Sequence, residues 1–77
     1  MPRWPVSFGS IPPDASIEID GEPVGTTPVL ARTLPEGKHS VKLSFGDRSI
    51  TRTIIVDRRA PSRYLWRVDG DLWEGSR

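Results

Sequence analysis

Glycine and proline set the strictest limit on what this chain can fold into. Seven Gly and eight Pro are spread along all 77 residues, and they divide it into segments of roughly five to nine residues, the length of short strands. No window carries apolar residues at i, i+3, i+4 and i+7 over three turns without meeting one of these breakers, so an amphipathic helix is not expected. The predicted strands cover residues 4–10, 15–20, 22–24, 29–34, 38–45, 48–57 and 63–69, and residues 72–73 have the composition for a short added one. The expected fold class is all-β: a small antiparallel β-sandwich of about six or seven short strands, forming one domain over residues 1–77.

Two hairpins are legible to the level of register. Asp20-Gly21 suits a two-residue type I′ turn, in which both central residues need positive φ. Ile19 then faces Glu22, Glu18 faces Pro23 and Ile17 faces Val24. Pro23 falls at a non-hydrogen-bonded pair with its missing N–H turned outward, which makes its strand an edge. A two-residue Gly46-Asp47 turn pairs Phe45 with Arg48, Leu43 with Ile50, Val41 with Arg52 and His39 with Ile54. One face then carries Phe45, Leu43, Val41, Ile50, Ile54 and Val56, and the other Ser and Thr with Lys42. A slip of one residue would destroy that division. Arg52 is the member of the apolar face that the pattern does not explain. Leu34-Pro35-Glu36-Gly37, between the hairpins, reads as a type I turn.

Composition removes several function classes. Without cysteine there is neither a disulfide framework nor a thiolate metal site, and thiol catalysis is excluded. Eleven Lys+Arg against ten Asp+Glu leave a formal charge of +1, too balanced for the domain as a whole to be an electrostatic nucleic-acid binder, and one small basic and aromatic patch would hold a single strand only weakly. No apolar run is long enough to cross a bilayer, so this segment is not expected to insert into a membrane. Met1-Pro2-Arg3-Trp4-Pro5 lacks the apolar stretch of a signal peptide. Delivery outside the cytoplasm would fall to another part of a parent chain.

Catalytic chemistry has one candidate base, His39, since no other histidine occurs. Its register position beside Val41 on the apolar face predicts a structural residue that packs and donates one hydrogen bond; a ligand or pH-sensing role is the sharper alternative. Asp69-Gly70-Asp71 with Glu74 lacks the spacing of a calcium loop and reads as a surface turn. No helix is predicted behind a Gly-rich loop to hold phosphate. The expectation is therefore no catalytic residue, no metal, no cofactor and no enzymatic activity.

The last third mixes basic and aromatic residues: Arg58, Arg59, Arg63, Tyr64, Trp66, Arg67 and Trp73. As a strand, Tyr64, Trp66 and Val68 share one face and Leu65 and Arg67 the other. Two readings are open. Either Tyr64, Trp66 and Val68 complete the core while the arginines stay in solvent, or Trp66 or Trp73 is partly exposed among the arginines, where it suits a protein partner or an anionic polymer. Trp4 and Trp73 lie nearest the termini, where the core thins.

Several ordered pieces of the sequence together resemble the PEGA domain family: Ser10-Ile11-Pro12-Pro13-Asp14-Ala15, then Ile19-Asp20-Gly21, Val24-Gly25-Thr26-Thr27-Pro28, and Leu34-Pro35-Glu36-Gly37-Lys38-His39. The resemblance runs over about residues 10–56, with Lys38 where the family name has Ala, and leaves residues 58–77 as a C-terminal strand and tail. It implies a β-sandwich-like module of bacterial and archaeal proteins, found in envelope proteins and as an extracytoplasmic extension of membrane-anchored kinases, with no enzymatic activity attached. The implied localisation is periplasm or cell surface. The implied function is a non-enzymatic scaffold or protein-interaction module within a larger bacterial envelope or membrane-associated protein. Its partner would be another protein or a second copy, met at a sheet edge. The alternative is binding of cell-wall polysaccharide or another anionic polymer by exposed Trp and Arg of the last third.

Overall fold

A computed structural model describes residues 2–76 and contains eight strands in two sheets. The strands are β1 (Arg3–Ile11), β2 (Ser16–Ile19), β3 (Glu22–Thr26), β4 (Val29–Pro35), β5 (Gly37–Phe45), β6 (Arg48–Val56), β7 (Arg63–Arg67) and β8 (Leu72–Ser76), with a 3₁₀ turn at Val68–Gly70. One sheet has the order β4-β1-β7-β8 and the other β3-β2-β5-β6. The expected sandwich is present. The terminal piece predicted at residues 72–73 is a full five-residue strand, paired antiparallel with β7. One pairing departs from the antiparallel expectation, because β1 and β7 run parallel from Ser7↔Arg63 to Ile11↔Arg67. These two strands are separated in sequence by the whole second sheet, and such a long connection permits the parallel arrangement that a hairpin forbids.

Alternation puts one set of side chains between the sheets. Val6 and Phe8 of β1, Tyr64 and Trp66 of β7, Ile17 and Ile19 of β2, Val41 and Leu43 of β5, and Ile50, Ile54 and Val56 of β6 are buried together. Trp66, the largest fully buried side chain, is 0% exposed. Each such aliphatic or aromatic group removed from water contributes roughly 1.5–3 kcal/mol, and in a chain this small that contribution is hard to replace.

The β5–β6 hairpin has the predicted register throughout, from Phe45↔Arg48 to His39↔Ile54 and on to Gly37↔Val56. Gly46 supplies the positive φ of its turn. The β2–β3 hairpin agrees only near its turn. Asp20 and Gly21 both have positive φ, and Ile19↔Glu22 and Glu18↔Pro23 pair as expected, but Ile17 faces Gly25 instead of Val24. A bulge absorbs one extra residue there. Gly25, at φ +133°, adopts a backbone conformation closed to L side chains, and simple alternation cannot show that. Leu34 to Gly37 also differs from the predicted type I turn. Pro35 still pairs with Arg3, and only Glu36 lies between β4 and β5, so the segment is a corner carrying the chain from one sheet to the other.

Candidate functional site

Four of the sequence motifs meet in pairs, and each pair ties one sheet to the other. At the start of β2, Thr27 is 1% exposed and holds three strands in place. Its Oγ1 accepts the Ala15 N–H at 3.0 Å and lies 2.7 Å from Ser10 Oγ, while its backbone N–H donates to Ala15 O at 2.8 Å. Ser10 Oγ also lies 2.7 Å from Pro12 O, which can only accept. Ser10 therefore donates to Pro12, and the Thr27 hydroxyl donates to Ser10. The buried hydroxyls of Ser10 and Thr27 both have partners, as burial demands. Asp14 N–H donates to Thr27 O at 3.1 Å and closes the Pro12-Pro13-Asp14 loop over it.

At the other end of β2, His39 is 8% exposed and has an acceptor on each ring nitrogen. Nδ1 lies 2.6 Å from Asp20 Oδ2, and Nε2 lies 2.6 Å from Pro35 O. Asp20 Oδ1 accepts the Ser40 N–H at 2.9 Å, so its carboxylate is shared between the turn and β5. A carboxylate and a carbonyl both need a proton from the ring, and only imidazolium has two to give. Burial, the largest influence on the ring, opposes its charge. The Asp20 hydrogen bond, the Pro35 carbonyl and the attraction of the Asp20 carboxylate outweigh it, and the His39 pKa is raised from 6.5. Asp20 moves the opposite way, lowered from 3.8 by the hydrogen bond from His39 and then by that from Ser40. His39 packs on the apolar face at its expected register position, with two hydrogen bonds where one was predicted. An open depression nearby is lined by Asp20, Glu22, Arg32 and His39. Both imidazole nitrogens are engaged, so this histidine offers it neither a free base nor a metal-binding lone pair.

In the last third, Tyr64, Trp66 and Val68 are buried. Trp66 Nε1–H donates to Asp71 Oδ1 at 3.1 Å across the Val68–Gly70 turn, giving the acidic surface turn a structural task. Phe8 stacks on Tyr64 at 5.7 Å, and Tyr64 on Trp73 at 5.1 Å between ring centroids. Burial raises the Tyr64 phenol above 10.0, and the Asp57 carboxylate adds to the rise. Trp73 is half-buried against this stack, and Trp4 is half-buried with Nε1–H directed at Glu36. Of the two readings, partial exposure is corrected for Trp66, which points inward in the alternation of β7, while Trp73 is the partly exposed ring. Arg58, Arg59, Arg63 and Arg67 are exposed. Arg67 Nε lies 3.8 Å from Glu74 Oε2, a long contact between two half-exposed groups. Among the described residues, no group of three or more His, Asp or Glu is placed to hold a metal ion.

The sheet edges differ in how well they could receive another strand. β3 carries Pro23 and the bulge at Gly25. In β4 the register shifts opposite Val6 to Phe8; Ala31 has φ 53° and donates to Ser7 Oγ, and Leu30 is left 76% exposed. β8 has five residues, one of them Gly75. β6 has nine, contains neither Gly nor Pro, and keeps unbroken register with β5. Arg52 sits at its middle in an inward position and is nevertheless exposed, its Nη1–H donating to Thr51 O at 3.0 Å.

Comparison with protein families matches the PEGA domain over residues 5–60, beyond both limits of the motif resemblance. No curated protein and no solved structure gives a significant match. Among the described residues, no helix is long and apolar enough to cross a membrane.

Proposed function

Because the chain belongs to the PEGA domain family, which is associated with extracellular or periplasmic proteins, we propose that it is a non-enzymatic interaction module of a larger bacterial envelope protein. It meets another protein at an unpaired sheet edge. The observation that carries this reading is the use to which the motif residues are put: Ser10, Thr27, Asp20 and His39 are spent on joining the two sheets. The sequence has no other histidine and no cysteine to build a reactive centre. An unpaired strand offers its backbone N–H and C=O groups to any extended segment of matching length.

Amide hydrogen exchange of the chain, alone and in a detergent extract of bacterial envelope, tests this. Protection gained along one sheet edge is expected. Protection confined to a sheet face, or an activity lost in a folded His39→Ala variant, would overturn the proposal.

A further inference from the structure

The β6 edge has a chemical preference. In a hairpin closed by a two-residue turn, the residues flanking the turn exchange hydrogen bonds and every second pair does likewise. Arg48, Ile50, Arg52, Ile54 and Val56 therefore bond to β5, and the N–H and C=O groups of Ser49, Thr51, Thr53 and Ile55 point out along the free edge. The opposite side of β5 agrees with this phase, since Ser40 O accepts from Asp20 and Ser40 N–H donates to it. Among the described residues, the hydrogen bond found on these outward groups is the one that Arg52 makes to Thr51 O. A guanidinium thus lies over the middle of the edge, covering an acceptor an incoming strand would need.

Charge along this ribbon is one-sided. β5 and β6 carry Lys38, Lys42, Arg48 and Arg52 and no carboxylate within either strand. Antiparallel pairing of two β6 edges over their full length, centred on the strand, sets Arg52 against Arg52 at a non-hydrogen-bonded position, where facing side chains are closest. Sliding by two residues restores the bonding phase but gives up two of the nine positions and places Arg52 against Ile50 or Ile54. An inward-directed charge on an edge strand is a recognised guard against such pairing.

We propose that the β6 edge receives an extended acidic strand of another protein, and that Arg52 admits it while rejecting a second copy of this chain. This rests on the edge-binding function proposed above and assigns its edge and its partner chemistry. A carboxylate facing Arg52 draws the guanidinium off Thr51 O and frees that acceptor for the incoming strand. A cation there leaves both the repulsion and the cover in place.

The test uses two capped nonapeptides, Val-Thr-Val-Thr-Glu-Thr-Val-Thr-Val and the same peptide with Lys for Glu, with hydrogen exchange read at each edge amide. The Glu peptide should bind about tenfold more tightly, a difference of about 1.4 kcal/mol, and protect Ser49, Thr51, Thr53 and Ile55. Arg52→Thr should turn the chain into a concentration-dependent dimer by sedimentation, with its far-UV spectrum unchanged, and Arg52→Lys should remain monomeric. Equal binding of both peptides, a monomeric Arg52→Thr, or association of the unaltered chain would overturn the assignment. Protection at β3, β4 or β8 instead would overturn it while leaving an edge-binding module. Protection at no edge would remove both.

Discussion

Raising the pH should loosen the corner at His39. The ring faces two acceptors at 2.6 Å each, so loss of one proton leaves a nitrogen lone pair against an oxygen and breaks one charge-assisted bond. The folded-state pKa lies above 6.5, so the stabilisation is fully present below that unfolded value and is lost as pH rises through the raised one. A hydrogen bond to a charged group contributes roughly 1.5–3 kcal/mol. The Asp20 side chain is 50% exposed, which favours the low end, about 1.5 kcal/mol. In a domain of this size that corresponds to roughly 6–12 °C in Tm. The assay is urea unfolding followed by Trp fluorescence from pH 5 to 9, with His39→Gln as the non-titrating control. The control should be less stable than the parent at pH 6, with the gap narrowing toward pH 9. A parent-minus-control difference that stays constant or widens with rising pH would refute the imidazolium assignment.

The acid side has the opposite sign: because Asp20 is depressed below 3.8, its contribution is present above that value and is lost as pH falls through the lower one, and Asp20→Asn should flatten the acid limb of the same titration. Thr27→Val replaces the hydroxyl with a methyl group of similar volume, leaving Ala15 N–H without its acceptor and Ser10 Oγ with only its bond to Pro12 O; the expected loss is about 1–3 kcal/mol by urea midpoint, and Thr27→Ser should recover part of it. Trp66→Ala should cost about 3–5 kcal/mol, enough to leave a marginal domain largely unfolded by circular dichroism. In the intact chain acrylamide should quench Trp4 and Trp73 far more than Trp66, so a Trp66→Phe variant that loses most of the quenchable signal would contradict the burial.

Strand positions and one complete hairpin register were readable because alternation and turn chemistry are local. Where Gly46-Asp47 closes β5 onto β6, one period-two pattern decides every pair. The bulge at Gly25 and the shift at Ala31 were not readable, since each depends on a single residue at positive φ with no effect on the apolar pattern around it. The depth of Trp66 was open for a different reason. Alternation puts Tyr64, Trp66 and Val68 on one face, but which face turns inward depends on β7 lying beside β1, a parallel pairing set by tertiary topology. Turn chemistry identifies Asp20 as a turn former, but not its carboxylate's hold on His39. That contact depends on β2 pairing with β5, which brings the Asp20 turn beside Ser40 and which no local pattern shows.

The two ties between the sheets stand at opposite ends of the same strand. Ala15 precedes β2, Asp20 follows it, and the strand between them has four residues, so the clusters are separated by roughly 16 Å of extended chain. They share no residue and no hydrogen bond. Each fixes one end of the shortest strand in the fold, which has only Ile17 and Ile19 to bury. If the clusters act as separate anchors, their losses should add. The double variant Thr27→Val/His39→Gln, measured at pH 6 where the ring is charged, should lose the sum of the two single losses to within about 0.5 kcal/mol. A deficit well below the sum would mean that releasing one end already frees the other, making β2 one cooperative unit. The argument for two independent anchors would then fail, although each hydrogen bond would remain where it is.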